Sequence, residues 1–318
     1  MPGQTSPVDD KARRNGMMAL AVAVLLLGAS WPVMKVGLRG APPLWFATGR
    51  LLAAGVLYTL PLAIRRRLIW PPRSEWRTIL VLGIFQSALM LGLVTLGVSI
   101  IGAGRSAVLA YTMPIWIVPG AALLLHERAS RMQLLGVAFG IAGIGVLFNP
   151  FEFVWSDWRT VLGNAAVLGG ALAWSFALLQ VRGHRWRMSP LQAMPFQTLL
   201  GGLLLAAASS AIEGPVPHVV LTPAFLLAFC YVSIFATCVA MWLVVEAAQR
   251  LPAVGVTIGQ LATPVIGVTA SALWLGEIPS AGVILGLVLI LLGVGVSTVR
   301  APAGSRAQRQ APSLRALR

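Results

Sequence analysis

The sequence predicts an all-α integral membrane protein with ten transmembrane helices arranged as two inverted five-helix repeats. Three observations carry this expectation. The 318-residue chain is 58% hydrophobic and only 10% charged, with a mean hydropathy of +0.84, whereas a soluble domain has about 25% charged residues. Its apolar residues fall into ten runs of roughly 20, the length that crosses a bilayer core. The chain also repeats itself without a gap: Pro114, Glu127, Ser130, Gly136, Gly143 and Gly145 recur as Pro264, Glu277, Ser280, Gly286, Gly293 and Gly295, each 150 positions later.

In chain order the runs are 16–36, 42–62, 78–98, 105–124, 131–148, 162–181, 190–211, 223–247, 253–274 and 280–299. The first is a full span and the chain keeps crossing after it, which sets it apart from a cleaved signal peptide. The short connections leave no room for a soluble domain. This divides the chain into a tail (1–15), a first repeat (16–148), a linker (149–161), a second repeat (162–299) and a basic tail (300–318). The linker carries Phe151, Phe153, Trp155 and Trp158, a composition suited to a membrane interface.

A net charge of +15 invites a nucleic-acid reading, and the placement of the charge argues against it. Of the 24 basic residues, 19 lie in the N-tail (Lys11, Arg13, Arg14), on alternate loops (Arg65, Arg66, Arg67, Arg73, Arg77; Arg128, Arg131; Arg182, Arg185, Arg187; Arg250) and in the C-tail. The opposite loops carry Arg39, Arg105 and Arg159 beside Glu152, Asp157, Glu213 and Glu277. This asymmetry places both termini in the cytoplasm of a cell inner (plasma) membrane. The partners expected are the lipid bilayer and a small-molecule substrate, with no nucleic acid, for a monomer or homodimer. The basic tail 300–318 reads as a solvated topogenic segment near anionic headgroups.

Five spans per half is an odd number, so the second half enters from the opposite side. Paired halves of this kind mark a transporter with its site at the seam, open alternately to each side. Pro114 and Pro264 fall mid-span, where proline removes a backbone hydrogen bond and frees carbonyls, and are the candidate hinges. Polar residues at membrane depth pair with each other or line water. This points to Tyr111, Thr112 and Trp116 in the fourth run and to Gln260 and Thr263 in the ninth.

Lys35 falls near the outer interface, where it either snorkels to headgroups or faces the pathway. Arg50 lies about 12 Å into the second run; with Lys35 and Arg105 it either guides a carboxylate or ties helix ends together. Trp31, Trp174 and Trp242 sit away from the expected aromatic belts and suit an apolar cargo wall or lipid packing. Ser30, Gln86 and Tyr231 complete the candidate substrate-binding set, with Ser175 and Gln180 weaker members. Gly136, Gly140, Gly143 and Gly145, with Gly282, Gly286, Gly293 and Gly295, read as close helix packing. Glu246 and Arg250 read as an i,i+4 ion pair.

Several chemistries find no residues. Neither lysine, Lys11 or Lys35, sits in a phosphate loop, which excludes an ATP-driven pump from this chain alone. His126, His184 and His218 fall far apart, and Cys230 and Cys238 read as packing residues on one helix, so no metal, cofactor or catalytic residue is expected.

These residues resemble the EamA family of the drug/metabolite transporter superfamily over 16–299. The resemblance rests on Gly28 to Pro32 (Gly-Ala-Ser-Trp-Pro) with Lys35, on Pro42-Pro43 with Arg50, and on matched ends of the fourth span of each half. Those ends are Pro114 with His126-Glu127-Arg128 and Pro264 with Leu275-Gly276-Glu277, each before a Gly-rich last span. It implies two inverted five-helix repeats, a central cavity, and export of amino acids or related small metabolites. Small multidrug-resistance relatives use a glutamate in span one, and this chain has none there. Export of other small organic or drug-like compounds, or a non-transporting polytopic role, remains as the alternative reading.

Overall fold

A computed structural model describes residues 7–127, 129–148, 157–182, 184, 186–215 and 219–299. Expectations for Arg128, Arg185, His218, the linker aromatics Phe151, Phe153 and Trp155, and the tail 300–318 lie outside these residues. Every regular element among the described residues is helical. The helices are α1 (Pro7–Gly37), α2 (Pro43–Ile64), α3 (Arg73–Ile100), α4 (Ala103–Leu124), α5 (Arg131–Leu147), α6 (Trp158–Val181), α7 (Pro190–Ile212), α8 (Pro223–Arg250), α9 (Ala253–Gln260 and Ala262–Leu275) and α10 (Ala281–Val299).

Eight of these are long and apolar enough to cross a membrane, and α5 and α10 are shorter apolar helices. The 17 residues of α5 reach about 26 Å at 1.5 Å per residue. It starts at a capping box, with the Ser130 hydroxyl accepting from Gln133 N–H at 3.2 Å and the Gln133 side chain accepting from Ser130 N–H at 2.8 Å. Helix α1 begins at Pro7, ahead of the expected start at 16, because no proline or glycine interrupts Val8–Asn15.

Four long helices depart from α geometry. Helix α4 breaks at Tyr111–Thr112 and α9 breaks at Leu261. The breaks fall just before Pro114 and Pro264, whose missing N–H groups cannot continue the ladder; tight bonds close the turns instead (Thr112 N–H to Leu109 O, 3.1 Å; Leu261 N–H to Ile258 O, 3.1 Å). Helices α3 and α8 each contain nine π-helical residues, Leu82–Met90 and Tyr231–Val239. The two π segments are 149 positions apart, so the internal recurrence extends beyond the sequence matches.

Packing puts small residues where helices approach. One extensive contact joins α5 to α10. A Cβ built on Gly136 would lie 2.4 Å from Gly293 O, one on Gly293 2.6 Å from Gly136 O, one on Gly143 2.9 Å from Gly286 O, and one on Gly286 3.1 Å from Gly143 O. Helices α2 and α7 cross at Gly55 and Gly202, beside a 3.0 Å hydrogen bond between the Thr48 and Ser209 hydroxyls. Large apolar side chains such as Leu123, Leu227 and Leu273 point outward from the bundle, as lipid contact requires. Gly293→Leu is expected to destabilise the protein by about 1–3 kcal/mol or more, read as a lower thermal midpoint in detergent.

Candidate functional site

A cavity of about 160 Å³ lies among the helices, where both π segments and the α4 break meet. Six sequence-predicted residues line it: Ser30 and Trp31 from α1, Arg50 from α2, Gln86 from the first π segment, Tyr111 at the break, and Trp174 from α6. Trp31 and Trp174, from the first helix of each half, thus contribute to the same wall.

Arg50 is the one charged side chain among the lining residues. Its Nε donates to Thr237 Oγ1 at 2.7 Å, and Nη1 approaches Met34 Sδ at 3.7 Å. Thr237 in turn donates to Val232 O, five residues back in the second π segment, at 2.7 Å. The Tyr58 hydroxyl donates to Thr237 O at 2.6 Å. A π turn leaves carbonyls and side chains available for such contacts, so the irregular backbone is what holds the guanidinium in place. Gln197 also lines the cavity; its Oε1 is buried without a protein hydrogen bond. Four thioethers (Met34, Met90, Met194 and Met241) supply much of the apolar wall.

The other predicted residues lie elsewhere. Lys35 is not on the cavity: its Nζ donates to Val98 O (2.6 Å), Ser99 O (3.3 Å) and Ile101 O (2.8 Å), capping the C-terminus of α3. Arg105 bonds Asn164 Oδ1 at 2.8 Å and Leu147 O. The basic outer patch of Lys35, Arg50 and Arg105 is therefore dispersed, because helix-end carbonyls attract two of its three cations. Thr112 is buried and bonds Leu109 O, with Trp116 Nε1 donating to it. Tyr231 donates to Leu26 O at 3.1 Å. Trp242 is 47% exposed on the outer surface, facing away from the bundle. Gln260 lies beside the α9 break, and Thr263 is buried next to the Tyr111 hydroxyl. Pro114 and Pro264 sit in the first turn after each break.

Sequence reasoning missed Tyr58, Thr237, Gln197 and Thr198, all of them cavity-lining. Tyr58 and Gln197 fall within apolar runs, and their polarity at membrane depth was the available signal.

Acids at the helix ends also have defined roles. Glu213 accepts from Leu44 and Trp45 N–H at the start of α2 (2.9 and 3.0 Å). Glu277 accepts from Ala103 and Gly104 N–H at the start of α4 (3.1 and 3.2 Å). Both carboxylates satisfy orphan amides and the positive end of the helix dipole. With Lys35 they tie together the face of the bundle that lies away from the N-terminus of α1. On the other face, buried Glu75 accepts from Arg187 N–H at 2.7 Å and pairs with His184 Nε2 at 2.8 Å.

A largely apolar cavity with one cation in its lining, surrounded by membrane-length helices, defines a multi-pass membrane protein. The EamA-like transporter family model matches residues 14–149 and 161–299, and the chain belongs to that family. The uncharacterized transporter YoaV of Bacillus subtilis (strain 168) is 23% identical over 89% of this chain and 96% of its own length. A probable amino-acid metabolite efflux pump of Escherichia coli (strain K12) is 24% identical over 90% of this chain and 95% of its own. A solved crystal structure shares the fold with a TM-score of 0.62 at 19% identity, covering 91% of this chain and 97% of that one.

Replacing Lys35 by alanine is expected to cost about 1.5–3 kcal/mol, the worth of hydrogen bonds from a charged donor. A lower thermal midpoint with unchanged ligand affinity at the cavity checks this capping role.

Proposed function

We propose that this chain is a secondary transporter that exports amino acids or related small metabolites by alternating access. In this reading ten helices form two inverted repeats (16–148 and 162–299, joined by 149–161) in an inner (plasma) membrane, with both termini cytoplasmic. The cargo occupies the central cavity, and the repeats rock about it as a monomer or homodimer.

One observation carries the reading: repeat-related ends of the bundle are packed differently. The first segment of α4, Ala103–Ala110, is buried at seven of its eight residues and packs against the second segment of α9. A Cβ on Gly267 would lie 2.9 Å from Ala107 Cβ, and one on Gly104 3.3 Å from Val268 Cα. The counterpart 150 positions on, Ala253–Gln260, has little contact with the second segment of α4. Of its residues whose exposure is described, only Val256 is buried, and a Cβ on Gly255 would meet nothing within 4 Å.

One end is closed and its counterpart is loose, which is the relation alternating access requires of inverted repeats. The reciprocal glycine contacts of α5 and α10 support the same pseudo-two-fold: Gly136 meets Gly293 while Gly286 meets Gly143. The name of the efflux-pump relative supports the cargo class. Counterflow in proteoliposomes loaded in turn with amino acids and organic acids is expected to show saturable exchange for one class; absence of exchange with all of them refutes the carrier reading.

A further inference from the structure

We infer that the cavity selects a monoanionic carboxylate with an apolar body about the size of a benzene ring, and that Arg50 is the residue that selects it. This rests on the transporter reading and narrows its cargo. Arg50 brings the only charge to the lining, and no carboxylate pairs with it among the described residues. A cation at membrane depth needs a partner, and the groups that Arg50 bonds are one hydroxyl, of Thr237, and the thioether of Met34. With Nε anchored on Thr237, the guanidinium plane is fixed and its Nη edge remains for a planar, two-oxygen acceptor.

The volume of about 160 Å³ is of the order of the roughly 150 Å³ cavities that take up benzene, and because the cavity is partly open this sets the scale of the apolar body rather than of the whole cargo. Trp31, Trp174 and four methionines form a soft wall that accepts more than one apolar shape. The lining contains no acid for an ammonium group, which ranks a deaminated carboxylate above the matching amino acid, and that above the matching amine.

The test is counterflow with phenylacetate, phenylalanine and phenethylamine in the full-length protein. Exchange is expected in that order, with Arg50→Gln weakening phenylacetate by about 10- to 100-fold, Arg50→Lys restoring part of it, and Thr237→Val raising its KM while the charge stays. Phenethylamine or phenylalanine exchanging as well as phenylacetate, or phenylacetate exchange unchanged in a folded Arg50→Gln protein, overturns the inference and leaves the carrier intact. Exchange of none of the three overturns it as well, and the wider cargo panel then judges the carrier separately.

From a different observation, and resting on the alternating-access reading, we propose that Glu277 and Glu127 are alternating latches for the two ends of the pathway. The turns that present them are the same. Gly276 and His126, 150 positions apart, both adopt left-handed backbone (φ 68° and 54°). Each following glutamate donates its N–H to the equivalent carbonyl, Ser271 O at 3.4 Å and Ala121 O at 3.2 Å. The carboxylates differ in their partners. Glu277 caps the tightly packed start of α4, whereas Glu127 stands 48% exposed, paired with Arg182 at 3.0 Å across open surface. The amides equivalent to Ala103 and Gly104 belong to Ala253 and Val254, at the start of the loose segment of α9.

In the opposite state Glu127 leaves Arg182 to cap those amides while Glu277 releases α4, so that each carboxylate closes one end in turn. The test measures thiol labelling of Ser106→Cys (closed end) and Gly255→Cys (loose end) with Cys230 and Cys238 replaced by serine and alanine. Adding Glu277→Gln is expected to raise labelling at 106 about tenfold and to lower it at 255. Rates that rise together report local unfolding and overturn the latch, as do unchanged rates. Unequal labelling of the two sites that persists in Glu277→Gln leaves alternating access standing without it.

Discussion

Hydrocarbon offers no hydrogen bonds, so each backbone group that leaves the α-helical ladder must find a partner inside the protein. That constraint organises this chain. Its four departures from α geometry, the breaks in α4 and α9 and the π segments in α3 and α8, occur on helices that surround the interior. Both π segments and the α4 break border the cavity. There the backbone exposes carbonyls, and hydroxyls such as Thr237 take them up and pass the order on to Arg50. The site exists because the helices around it are imperfect in places where imperfection can be satisfied.

Helix ends face the same constraint, and side-chain charges meet it. Lys35 serves the carbonyl end of α3, Glu213 the amide end of α2 and Glu277 the amide end of α4. Each of these charges comes from a different helix or from the turn after one, so capping also fastens helix to helix. These fastenings gather on one face. The other face holds its loops together, through Glu75 with His184 and the Arg187 amide, and leaves the start of α9 loosely covered.

Beside this adaptable centre stands a rigid pair. Helices α5 and α10 meet through glycines whose backbones approach too closely for any side chain to intervene. Neither helix contributes to the cavity lining. Such a contact has one geometry and no rotamers to rearrange, which makes it a fixed frame against which the other helices pack.

The sequence by itself determined the membrane class, the helical class, the approximate extent of the helices and the internal recurrence. Each depends only on composition and on spacing along the chain: run length against bilayer thickness, and fixed offsets between like residues. Pro114 and Pro264 marked the breaks to within three residues, because a missing N–H acts locally. The tertiary structure alone decided which polar residues share a cavity. Lys35 and Arg50 look alike as cations in apolar runs, yet one found the free carbonyls of a neighbouring helix end and the other a π-helical threonine beside a void. Tyr58 and Gln197 joined the site through the crossing of α2 and α7, and Trp242 faced outward because of the rotation of α8. Helix rotation and crossing are set by contacts between residues far apart in the chain, and no local pattern encodes them.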